Sequence, residues 1–95
     1  MIATFDRFTI AMTKKQAEDC SHPGACDADV AALVLTPAIA RQLRRIPDVD
    51  LVAELKEYGA WDEAELSSRA ANDARIVWIA AGNIMAEIHE SERGK

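Results

Sequence analysis

The sequence predicts an all-α fold, with several short helices packed on one long C-terminal helix and an irregular or strand-like N-terminal arm. Three observations predict it. The chain is 49% hydrophobic with only five aromatic residues among 95, and most of the apolar content is Ala, Ile, Leu and Val, a mixture that favours helix. Helix start and stop signals recur every eight to twelve residues from Thr13 to Gly59. After Trp61 no breaker except Gly82 occurs before Gly94, leaving room for a helix of roughly 25 residues, about 38 Å long at 1.5 Å per residue. Ninety-five residues make a single domain (1–95), divided into an arm (1–12), a run of short helices (13–59) and the long helix with its tail (60–95).

In the arm, Phe8, Ile10 and Met12 alternate with polar or small residues, as in a strand. No second strand-like segment follows, and a lone strand leaves its backbone groups unpaired. The expectation is an irregular arm, a short helix, or a strand paired with another copy. Translation from Met12 would make the first eleven residues dispensable.

Thr13 with Gln16 reads as a capping box opening a helix over about Lys14 to Cys20, stopped by Ser21-His-Pro-Gly24. A second helix is expected from about Asp27 to Leu35, burying Val30, Leu33 and Val34. Thr36-Pro37 offers an N-cap and a first helical proline for a third helix, with Ile39, Leu43 and Ile46 inward and Pro47 at its end. Asp48 is expected to cap a fourth, with Leu51, Val52, Leu55 and Tyr58 inward and Gly59 closing it. Trp61-Asp-Glu-Ala-Glu-Leu66 carries both a capping box (Asp62, Glu65) and a hydrophobic staple (Trp61, Leu66), so the long helix is expected to begin there.

The net charge of −5 is uneven. Residues 1–47 hold six bases and five acids, whereas residues 48–95 hold five bases and eleven acids. The acidic half disfavours general binding to phosphate backbones. Arg41, Arg44 and Arg45 form one basic face at i, i+3 and i+4. That face suits either a nucleic-acid reader or ion pairs with Glu54 and Glu57. No apolar run is long enough to cross a bilayer. The N-terminus lacks a basic stretch followed by an apolar core, so the expected location is cytoplasmic.

Cys20-Ser-His-Pro-Gly-Ala-Cys26 is the one cluster with metal-ligand chemistry. Cys20, His22 and Cys26 could supply three ligands of a zinc site, with Asp27, Asp29 or His89 as a fourth. The spacing matches no zinc-finger knuckle, so the expectation is reduced thiols at a helix junction, with no metal and no cofactor. No orienting group or oxyanion hole stands at recognisable spacing from these residues, so no catalytic residue is assigned.

Ile76-Val-Trp-Ile79 places apolar groups around most of a helix circumference. Ala80, Ala81 and Gly82 follow, and a mid-helix glycine costs about 1 kcal/mol against alanine. The expectation is an interaction surface at Ile76, Trp78, Ile79 and Gly82, serving a homodimer with the long helix at its seam.

Three strings, Cys26-Asp-Ala-Asp-Val-Ala-Ala-Leu33, Glu54-Leu-Lys-Glu-Tyr-Gly-Ala-Trp-Asp-Glu-Ala-Glu-Leu66 and Ile76-Val-Trp-Ile-Ala-Ala-Gly-Asn-Ile84, are similar to a group of small uncharacterised bacterial proteins often found in prophages and phages. The resemblance covers residues 13 to about 88, and the middle string is its distinctive part. It implies a phage or prophage accessory protein and carries over no catalytic residues. The expected function is a non-catalytic protein–protein interaction protein that modulates a host protein. The alternatives are a small nucleic-acid-associated regulator or a zinc-stabilised module.

Overall fold

The computed structural model describes residues 1–21 and 27–93. Two short strands, β1 (Ile2–Thr4) and β2 (Thr9–Ala11), open the chain. Five helices follow: α1 (Lys14–Ser21), α2 (Asp27–Val34), α3 (Pro37–Arg44), α4 (Asp48–Tyr58) and α5 (Arg69–Arg93), with a one-turn 3-10 helix over Glu65–Ser67 ahead of α5. The helix α5 is 25 residues long and forms the spine. Against it pack α1, most extensively, and α2, α4 and β1.

The arm is strand-like, as the alternation at Phe8, Ile10 and Met12 predicts, but the partner strand expected to be missing lies within the chain. It is neither irregular nor unpartnered, because β1 and β2 form an antiparallel hairpin with Ala3 opposite Ile10. Phe5 N–H donates to Phe8 O across the turn at 2.9 Å, and the two rings meet at 5.0 Å. Ala3 and Ile10 point inward and belong to the core, so the first eleven residues contribute to packing. The outer edge of β2 is closed by a side chain: Gln42 accepts from Ala11 N–H at 2.6 Å and donates to Ala11 O at 2.8 Å. One amide thus takes the place of a third strand at that residue, satisfying groups an edge strand leaves open.

Local chemistry explains most helix boundaries. Thr13 and Gln16 form the reciprocal capping box, at 2.8 and 3.1 Å. Gly59 closes α4 at φ 84°, a left-handed conformation that suits glycine, with its N–H on Leu55 O. Three expected caps differ. Thr36 precedes α3, but its hydroxyl donates backward to Leu33 O at 2.8 Å, closing α2 instead. Pro47, not Asp48, occupies the N-cap of α4; Asp48 is the first helical residue, and its carboxylate accepts from Arg69. The Asp62–Glu65 capping box does form, at 2.8 and 3.3 Å, but it opens the 3-10 turn. The spine itself starts later, where Ser68 Oγ accepts from Ala71 N–H at 3.3 Å.

Arg69, the first residue of α5, joins three helices. Its guanidinium donates to Ile46 O at 2.8 Å, beyond the end of α3, and to Leu43 O at 2.6 Å, which also accepts from Ile46 N–H at 3.1 Å. It also bonds Asp73 at 2.8 Å and reaches Asp48. Deeper in the molecule, Ile10, Ile39, Leu51, Leu55, Ile76, Val77 and Ile84 are the large, fully enclosed side chains. The overall dimensions are 42 × 25 × 24 Å, the long axis being close to the length of α5. Among the described residues, no helix is long and apolar enough to cross a membrane.

Candidate interaction surface

Of the four residues expected to form an interaction surface, the structure separates two from two. Ile76 and Ile79 are buried, as is Val77 between them. The hairpin and short helices therefore cover most of the apolar run, enclosing Ile76 and leaving Ile79 only a small exposed edge. Trp78 is 48% exposed, and Gly82, one turn further, is exposed as well. A methyl group added at Gly82 would meet no atom within 4 Å. The packing reason expected for this glycine is therefore absent within the described chain.

Trp78 stands on the ridge between two shallow hollows. One, of about 260 Å³, is lined by Val30, Trp61, Ala74, Arg75 and Trp78. The other, of about 310 Å³, is lined by Ser21, Tyr58, Trp78, Ile79, Gly82 and Asn83. Tyr58 is exposed rather than inward; the chain reverses after Gly59, and Trp61 stacks on its ring with centroids 5.6 Å apart and planes 22° from parallel. The Arg75 guanidinium lies 5.2 Å from the centroid of Trp61, within cation–π range. It is held there by Glu65 O at 2.8 Å and Asn72 Oδ1 at 3.0 Å. Buried Asn72 in turn donates to Leu66 O at 2.8 Å. A polar chain from the 3-10 turn thus fixes an arginine, a tryptophan and a tyrosine beside Trp78.

Sequence reasoning missed Tyr58, Trp61 and Arg75 as members of this surface. A signal was available in the short interval from Tyr58 to Trp61 across Gly59, which favours a reversal that stacks the two rings. Arg75 could be found only once the 3-10 turn had shifted the start of α5.

The cysteine cluster is partly in view. Cys20 is buried on α1, and His22 and Cys26 lie outside the described residues. His89 is exposed near the end of α5. Among the described residues, Asp6, Glu54 and Glu57 gather carboxylate oxygens within 4.8 Å of one another. Arg7 already sits against two of them: its guanidinium is 3.3 Å from Glu54 and 3.0 Å from Glu57, and its backbone N–H donates to Glu54 at 2.9 Å. These bonds hold the Arg7 guanidinium above its usual pKa, chiefly through Glu57. The cluster therefore fastens the hairpin turn to α4.

This arrangement also corrects the pairing expected for Glu54 and Glu57, which take Arg7 rather than the arginines of α3. Arg41, Arg44 and Arg45 are exposed, and none forms an ion pair within 4 Å among the described residues. Comparison of the chain with protein-family models, curated proteins and solved structures finds no match.

Proposed function

We propose that this chain is a non-catalytic protein–protein interaction protein whose docking surface is centred on Trp78. The observation that carries the reading is the half-exposed Trp78 flanked by two hollows, with Tyr58, Trp61 and Arg75 held beside it. Tryptophan, tyrosine and arginine are the residue types that dominate binding energy at protein interfaces. Their prior ordering lowers the entropy lost on docking. A role as a modulator of a host protein requires only such a fitted surface and no active site.

Affinity purification from the host with wild type and Trp78→Ala tests this. The reading expects a protein recovered by wild type and lost from the variant. Recovery of the same proteins by both would contradict it.

A second reading is favoured by the basic face at Arg41, Arg44 and Arg45, which forms no ion pair among the described residues. Arg41, Arg44 and Arg45 would contact phosphates in a nucleic-acid-associated regulator. It predicts binding to duplex or single-stranded nucleic acid that weakens steeply with salt and falls when all three arginines become glutamine.

A further inference from the structure

An acidic chain leaves three neighbouring arginines without a counter-charge. Sixteen acids and a net charge of −5 are available, yet Arg41, Arg44 and Arg45 are exposed and form no ion pair among the described residues. Beside them lies a hollow of about 440 Å³ to which α2, α3, α4 and α5 contribute. Val34, Leu35, Ala40 and Leu43 give it apolar walls, and Arg44 lines it with them. Leu35 is 78% exposed, and Val49, next to the lining residue Asp48, is 72% exposed. Among the described residues these are the two large apolar side chains most open to water.

We infer that this end of the molecule docks an acidic peptide segment, with carboxylates on Arg41, Arg44 and Arg45 and an apolar side chain in the hollow. The planar guanidinium fork accepts a carboxylate through two parallel bonds, and these three arginines have no partner that must first be displaced. The site shares no residue with the hollows beside Trp78. It uses the same arginines as the nucleic-acid reading and assigns them a different partner.

Three features favour a peptide over other anionic partners. A concave, apolar-walled hollow takes a leucine-sized side chain, whereas a phosphate backbone has nothing to place there and a flat bilayer surface does not enter it. Asp48 and Asp73 also line the hollow, and Arg69, which bonds both, leaves the trio at a net −1. A continuous run of phosphates is repelled there, while a peptide sets its acids on the arginines and an uncharged residue beside the aspartates. The remaining surface is acidic, with eleven acids and five bases over residues 48–95, which confines the attraction to a short acidic stretch.

Fluorescence anisotropy of the full chain with a labelled synthetic helical peptide, rich in glutamate and carrying a leucine at each turn, tests the inference. Binding is expected to weaken with salt. It should fall about tenfold in the triple variant Arg41→Gln, Arg44→Gln, Arg45→Gln, whose helical circular dichroism should match wild type. Leu35→Ser on the chain, or alanine for leucine in the peptide, should weaken binding with every arginine in place. Trp78→Ala should bind the peptide as wild type does. A peptide that does not bind, or that binds the triple variant equally well, would overturn the inference. Tighter binding of duplex DNA or of phosphatidylserine vesicles than of the peptide at the same salt would also overturn it, and the DNA result would leave the nucleic-acid reading standing. Loss of peptide binding in Trp78→Ala would overturn it too, by moving the site to the Trp78 surface. Host-protein capture that depends on Trp78, with no binding of the peptide, would sink this inference and leave the docking reading intact.

Discussion

The two faces of α5 around position 80 follow opposite rules. Inward, Ile76, Val77, Ala80, Ala81 and Ile84 are enclosed with almost no exposed surface. Outward, Trp78 is half in water, and a Cβ at Gly82 would meet nothing within 4 Å among the described residues beyond its own helix backbone. Stability explains the first face completely. It does not explain the second, where a large apolar ring is left exposed and a poor helix former sits in mid-helix. Local choices that disagree with the needs of the fold concentrate where a protein does something other than fold.

The contrast can be broken most severely from the inside. Ile84→Ala should cost about 2–5 kcal/mol, as truncation of enclosed aliphatic side chains does, seen as a lower denaturant midpoint. Arg69→Ala should come next, at about 2 kcal/mol, because it removes charge-assisted bonds to Asp48 and Asp73 and the donor to Ile46 O. On the outer face the sign reverses. Gly82→Ala should stabilise the dilute chain by about 1 kcal/mol, since alanine is the better helix former and its methyl meets nothing. A destabilised Gly82→Ala at low concentration would show that the outer face is covered by the chain itself.

The smallest effect concerns pH. Burial raises the Asp73 carboxyl above its usual range, with Arg69 opposing part of that shift. A carboxyl raised in the folded state holds its proton more tightly there than in the unfolded chain. Its contribution to stability therefore grows as pH falls through the carboxylate range and is lost as pH rises. Asp73→Asn should accordingly lose stability more steeply on acidification than wild type. A shallower acid limb in the variant would contradict this assignment.

Much of this architecture was legible because it follows from short-range chemistry. The Thr13–Gln16 box, the Gly59 stop and the inward faces of α2 and α3 depend on residues within a turn or two of each other. The hairpin was legible only in its second strand, where Ile10 alternates with polar or small neighbours. Its first strand contributes one small inward residue, Ala3, and its turn, Phe5-Asp-Arg-Phe8, lacks an Asn-Gly or Asp-Gly pair. What holds it lies far along the chain, at Gln42 and Glu54. The start of α5 was misplaced for a related reason: the Asp62–Glu65 box is real, but only tertiary bonds from Asn72 and Arg75 reveal that it belongs to a separate turn. Trp78 was legible as a surface residue only in part, because a continuous apolar run does not say which of its members the short helices leave uncovered.

The exposed Trp78 with Tyr58, Trp61 and Arg75 beside it either serves docking or is an idle part of the surface. Affinity purification with wild type and Trp78→Ala, both checked for equal helical circular dichroism and equal denaturant midpoints, separates these most directly. A docking surface predicts a protein captured by wild type and lost from the equally folded variant. Equal capture by the two would contradict it.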